Sequence, residues 1–365
     1  MDKSSMQIIV FFAMVVFVAV YVTITNNKRK QNAIINKLKN GWGKPAQRKY
    51  TGDDYECISH YFKRNANENS IDDITWNDLG MDDIFRMMNN TNSSAGQEYL
   101  YRMLRQPDAD MESLKKLDRL ATAIDKNASE RLELQKIFVW IGRAKHISIS
   151  DYCDVVVGLD KKSNALHYAS LLFLVAAIVF TCVINPVIGI WLCIAAVAFS
   201  IITYYKFKAG VDRYFICVNH IVKLMMGAGK ITALNVDFLE EYNVKLKNIT
   251  QDLSDIMKRS WLLETGNVDG SIMEMALDYL RMLTHADLIK FNNLIKLFHD
   301  KEKCIYELID TLGFIESSIA IASFRNMLDA WCIPEFKNDS DMQLEVKNVY
   351  HPLIKKPVAN SINRL

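Results

Sequence analysis

The sequence predicts a mainly α-helical chain with three transmembrane helices. Three observations carry this prediction. Between Tyr50 and Ile333 there are only two prolines, Pro107 and Pro186, so long helices are permitted almost throughout. Tyr242, Leu246, Ile249, Leu253 and Ile256 step by four and three, a heptad-like stripe that predicts a long helix packed lengthwise. Half of the 365 residues are hydrophobic, and the excess is concentrated in three uncharged runs.

The first run, Gln7 to Ile24, carries no charge, and at about 1.5 Å per residue it nearly spans a hydrocarbon core of about 30 Å. Lys28-Arg29-Lys30 follows it in place of a small-residue cleavage site, so residues 7–25 read as a signal anchor and not a cleaved leader. Residues 26–72 read as a basic juxtamembrane linker suited to anionic lipid headgroups. Leu166 to Ile184 and Val187 to Tyr205 are two further runs, separated by Asn185-Pro186, and read as a helical hairpin over 165–205. Basic residues follow the first run from Lys28 to Lys49, and Lys161, Lys162, Lys206 and Lys208 flank the hairpin. The positive-inside rule then puts the N-terminus outside, the Asn185-Pro186 turn outside, and the bulk of the chain in the cytoplasm of a bacterial-type inner membrane. Membrane lipid is the first expected partner. The only ionisable group in the hairpin is His167, expected at the interface, so the hairpin reads as an anchor and not a transport path.

In the remainder, Ile272 to Phe298 and Ile305 to Phe324 continue the helical style, and Gly266 to Gly270 reads as a turn. The seven cysteines are scattered and never form a C-x-x-C pair, which fits a reducing compartment. A formal net charge of +2 predicts no strong field for nucleic acid. The seven histidines show no metal-ligand spacing, and no Ser/His/Asp or Cys/His grouping stands out. Gly227-Ala228-Gly229-Lys230-Ile231-Thr232 imitates part of a phosphate loop. Leu224 stands where the first glycine belongs and Ile231 where the hydroxyl belongs, so it reads as a flexible turn between helices.

Two ordered blocks are more specific. The first comprises Asp73, Thr75, Leu79, Ile84, Thr91, Ser94, Gly96, Leu100, Leu104, Gln106 and Pro107. The second comprises Ile333-Pro334-Glu335, then Val349-Tyr350-His351-Pro352-Leu353, then Pro357-Val358-Ala359-Asn360. Together they resemble the core and lever of the MutS family of DNA mismatch-repair ATPases. The resemblance implies a long-helix core and lever, with a first part of the core at 73–164, lever helices at 206–333 and the start of an ATPase domain at 334–365 that contributes a short β element at the C-terminus. Leu312 to Glu316 and Ile319 to Phe324 match the helix by which such a lever returns.

The chain as given stops just before the family's phosphate loop, so it is expected to be truncated and non-catalytic, with no cofactor of its own. Complete relatives would bind ATP and Mg, dimerise through the ATPase domain and couple nucleotide to lever movement. Pro357, Val358 and Asn360 would then lie on the adenine side, although the aromatic residue often found there in the family is absent. DNA is a partner by family only: Phe238-Leu239-Glu240 fits the letters of the mismatch wedge but lies inside a helical stripe. A mismatch-repair DNA-binding protein and a helical membrane scaffold for partner proteins are the alternative readings. Thr91, Ser94 and Gly96 are expected to form a structural joint before a helix beginning near Gln97, with Leu100 and Leu104 facing the core.

Overall fold

The computed structural model describes residues 3–106, 110–144, 147–159, 163–260, 272–298, 301–335 and 344–364. Pro107, Lys161, Lys162 and the Gly266 to Gly270 turn lie outside these residues. Fifteen α-helices and two β-strands are defined among them. They run α1 (Lys3–Gly41), α2 (Gly52–Asn65), α3 (Asp73–Asp78), α4 (Met81–Met88), α5 (Ser94–Arg105), α6 (Met111–Lys126), α7 (Ala128–Ile141) and α8 (Ile149–Val157). Then come α9 (Ala165–Val183), α10 (Pro186–Ala233), α11 (Glu240–Asp252), α12 (Ser254–Ser260), α13 (Ile272–Thr284), α14 (Ala286–Phe298) and α15 (Glu302–Met327). β1 (Leu344–Val349) and β2 (Asn360–Arg364) form an antiparallel pair, with Val346 opposite Ile362. The mainly α prediction holds, and so does the short β element.

Local chemistry explains the helix starts. Thr51 and Asp54 form a capping box at α2, and Asp110 caps α6 by accepting from the Ser113 N–H. The Asn185-Pro186 turn is built the same way. Asn185 Oδ1 accepts from Val187 and Ile188 at 3.0 and 3.2 Å, while Pro186 occupies the first turn, where no N–H is needed. α9 and α10 are the two helices long and apolar enough to cross a membrane among the described residues, and only 17% and 22% of their apolar windows are buried. The Gln7 to Ile24 run lies within α1, whose backbone is helical for 39 residues.

α10 does not stop at Tyr205. It continues for 48 residues, about 72 Å at the usual rise, so the boundary expected at 205/206 falls inside one helix. Gly227 to Thr232 lies in its last turns and is helical, not a turn as the sequence reading had it. Glycine is needed at 227 for contact: a Cβ there would sit 2.8 Å from Ile141 Cγ1, so α7 and α10 cross at close range.

The main core gathers around α10, with Leu134, Phe138 and Ile141 of α7, Ile149 and Cys153 of α8, and Leu308, Leu312 and Ile315 of α15. The Leu246, Ile249, Leu253 and Ile256 stripe belongs to this core as expected. Its helix is not continuous, however, because the chain breaks at Leu253 between α11 and α12. The Ile272 to Phe298 stretch is likewise broken at His285, whose φ of 55° ends α13.

A second cluster packs α2, α3 and α4 on the outer side of α5, with Phe85, Trp76 and Leu100 at its centre. Leu100 is fully buried, whereas Leu104 is half-buried. Leu100→Ala is therefore expected to cost about 3–4 kcal/mol and Leu104→Ala about half of that. Thermal melts of the two variants check the ranking, and equal losses would contradict it.

Candidate functional site

The densest buried polar chemistry lies in the block singled out between Thr91 and Gln106. α5 begins at Ser94, three residues before the expected start, and its cap is Ser93, not Ser94 or Thr91. Ser93 Oγ accepts from the Gly96 N–H at 3.0 Å. The Ser93 hydroxyl in turn donates to Glu316 of α15, whose carboxylate also accepts from the N–H groups of Asn92 and Ser93. Glu98 performs the same task for α8, accepting from the Ile149 N–H at 3.0 Å and from the Ser150 and Ser148 hydroxyls at 2.7 and 3.2 Å.

Each buried carboxylate thus sits on a helix N-terminus, where the orphan N–H groups and the dipole favour negative charge. Burial pushes both Glu98 and Glu316 up to about 7, and these hydrogen bonds hold them from rising further. Gly96 is the price of the close fit, because a Cβ would meet the Glu316 Cδ at 2.6 Å and its Cβ at 3.0 Å.

The joint extends to a third element. Arg143 Nη2 donates to the Thr91 carbonyl and to Thr91 Oγ1, and the Ala144 N–H donates to Ser94 Oγ at 2.9 Å. The start of α5 is therefore held between α15 and the loop from α7 to α8. Thr91, Ser94 and Gly96 do come together as the sequence reading expected. Glu98 and Arg143 were not foreseen, and Glu316 was expected only as part of the returning helix, because partners so distant in the chain share no local pattern. The carboxylates are occupied by helix N–H groups and hydroxyls, an arrangement suited to holding geometry.

The far end of α5 is closed by Arg105, which is 4% exposed. It donates to the Ile71 carbonyl, to Asp73 at 2.6 Å and to Tyr101 Oη at 3.0 Å, and its guanidinium lies over Phe62 and Trp76. Asp73 thus has a partner, while Asp72 caps α3 by accepting from the Thr75 N–H. Leu79 is exposed, Ile84 is half-buried and Gln106 is buried.

Pro357, Val358 and Asn360 lie together at the entry to β2. Val358 is 80% exposed, Asn360 is exposed, and the Asn360 amide donates to the Val358 carbonyl at 3.3 Å. The hairpin meets the helical body through Tyr350, whose hydroxyl bonds both the N–H and the carbonyl of Ala330. Leu344, Val349, Ile354 and Ile362 are left exposed on it.

His167, in the first turn of α9, is 1% exposed, and its Nδ1 lies 3.0 Å from Nδ1 of His285. The Ser200 carbonyl, 2.9 Å from His285 Nε2, can only accept, so His285 carries its proton on Nε2. His285 Nδ1 must then accept from the Nδ1–H of His167. Tyr204 Oη donates to Asp287 at 2.7 Å, and Asn292 donates to Asn164 at 2.8 Å. These contacts stitch the base of the α9–α10 hairpin to the break between α13 and α14. The only advance signal was that His167 is a rare polar letter in an apolar run.

Among the described residues, no group of three or more His, Cys, Asp or Glu side chains is placed to hold a metal ion. No family model, no curated protein and no solved structure matches this chain.

Proposed function

We propose that this chain is the core and lever of a membrane-anchored MutS-like protein, whose complete form binds ATP and carries the resulting movement to elements beside the membrane. One observation supports this reading above the others. The first resemblance block and the returning helix, more than 200 positions apart, pack directly on each other through Glu316, Ser93 and Gly96. A lever needs such a joint, in which its root is clamped by the helix that returns from its tip.

The exposed β hairpin suits the same reading. Two strands alone are marginal in water and leave apolar faces uncovered. In the proposed complete protein these strands begin the ATPase domain, with Pro357, Val358 and Asn360 on the adenine side and dimerisation through that domain. Movement there would reach α15 through the Tyr350–Ala330 contact.

The membrane part of the proposal comprises three spans: the apolar run of α1, α9 and the first half of α10. The outward-facing apolar side chains of α9 and α10 support it, since exposed groups such as Leu172, Val183, Val187 and Trp191 gain most when lipid covers them. The positive-inside rule places the Asn185 turn outside and the helical body in the cytoplasm.

The test is made in intact bacterial cells. The protein is expected to stay in the pellet after alkaline carbonate extraction. A membrane-impermeant thiol reagent is expected to label Asn185→Cys above the wild-type background but not Asn248→Cys. Release into the supernatant, or equal labelling of both sites, would overturn the proposed anchoring.

A further inference from the structure

Between the end of α7 and the middle of α10 lies a cavity of about 400 Å³ whose charged lining is all of one sign. Arg143 enters it from the α7–α8 loop, just after Gly142 turns the chain at a φ of 73°. Asn219, His220 and Lys223 enter it from α10, and no carboxylate lines it. Three buried polar atoms here have no hydrogen-bond partner among the described residues: Arg143 Nε, Asn219 Oδ1 and His220 Nε2. His220 is only 5% exposed, so water does not readily supply what the protein withholds.

Burial, with the Lys223 ammonium nearby, pushes His220 down to about 3. Burial alone lowers Lys223. Both shifts have one main cause, burial that disfavours the charged form, so His220 is a neutral imidazole near pH 7 and the cations of the cavity are Arg143 and Lys223. Buried polar groups are normally satisfied; of these three, the Arg143 and His220 nitrogens can donate, whereas the Asn219 oxygen can only accept, so Arg143, His220 and Lys223 are the lining residues suited to an anion.

We propose that this cavity binds a small soluble anion bearing a phosphate or phosphate-like group. The Arg143 and Lys223 cations and the His220 imidazole would supply its donors. A guanidinium and an ammonium converging on one cavity suit tetrahedral oxyanions. A lipid headgroup is the other source of phosphate, but His220 lies about 22 Å of helix axis beyond Tyr205, too deep in the body for a bilayer lipid to reach.

Occupancy has a structural consequence. Arg143, which lines the cavity, also holds the Thr91 carbonyl through Nη2, so a bound anion would steady the side of α5 that the α7–α8 loop supports. The inference is independent of the MutS-like reading, because it uses none of the residues that carry that resemblance except through this contact.

The test uses the full chain purified in detergent, with inorganic phosphate as the probe and sodium chloride as the control at equal ionic strength. Phosphate is expected to raise the melting temperature saturably by about 3–6 °C beyond chloride. Equilibrium dialysis against radiolabelled phosphate is expected to show one site per chain. Lys223→Gln, at the rim, is expected to weaken that binding about tenfold or more, the effect of losing one good charge contact. His220→Gln serves as a second variant if Lys223→Gln folds poorly. Phosphate no better than chloride, or unchanged binding in a folded variant, would overturn the proposal. So would a response confined to micelles doped with anionic phospholipid, which would assign the site to lipid.

Discussion

Gly96→Ala is expected to cost about 4 kcal/mol, although Gly-to-Ala changes in helices normally stabilise by up to about 1 kcal/mol. The added methyl would collide with Glu316, a buried side chain that cannot move without surrendering its bonds to Asn92 and Ser93. The loss therefore combines overpacking with broken hydrogen bonds to a buried charge-bearing group. Glu316→Ala alone is expected to cost about 3–5 kcal/mol, because two backbone N–H groups and the Ser93 hydroxyl lose their acceptor.

In the Glu316→Ala background most of this cost should vanish. Gly96→Ala then meets only the Cβ of residue 316, at 3.0 Å, and the gain in helix propensity offsets that close contact, leaving a change within about 1 kcal/mol of zero. A double-mutant cycle by thermal or denaturant unfolding measures this coupling. Simple additivity of the two changes would show that Glu316 does not clamp α5.

The second large effect is on the pH dependence of stability. Glu98 and Glu316 titrate near 7 in the folded protein and near 4.5 in the unfolded chain. Between those values the folded state holds protons that the unfolded state has released, so stability falls as pH rises through the window. Each carboxyl contributes on the order of 3 kcal/mol. His220 acts in the opposite direction. It stays neutral down to about 3, while its unfolded counterpart binds a proton below about 6.5, so its contribution rises with pH up to that value. The glutamates outweigh it, and the net fall from pH 4.5 to 7 is roughly 4 kcal/mol.

Melting temperatures at pH 5, 6 and 7.5 should therefore decline in order. The double variant Glu98→Gln, Glu316→Gln keeps an acceptor at each helix end and should lose the decline. A wild-type profile that is flat or rising across this range would contradict the assignment.

What was legible in the sequence was what repeats at short range. The apolar runs, the Asn185-Pro186 turn, the buried stripe from Leu246 to Ile256 and the burial of Leu100 all follow from periodicity and turn chemistry. The breaks at Leu253 and His285 did not show, because no proline or glycine marks them and tertiary packing decides them. Gly227 and Gly229 pointed the wrong way: two glycines suggested a turn, whereas Gly227 is there to let Ile141 approach. Glu316 with Gly96, and His167 with His285, are pairs joined only across the fold, and a single sequence carries no mark of such pairing.

The uninterrupted run of α10 also dictates an order of assembly. Its second half supplies the surface that covers Phe138, Ile141 and Ile149, all of which leave the ribosome before it. Those earlier helices must wait, with their apolar faces open, until the chain has passed through the hairpin and returned. The main core cannot close from its N-terminal end forward, as many multidomain chains do. A ribosome stalled near Tyr205 would hold a half-built shell, and closure of the main core waits on the return of the chain from the hairpin.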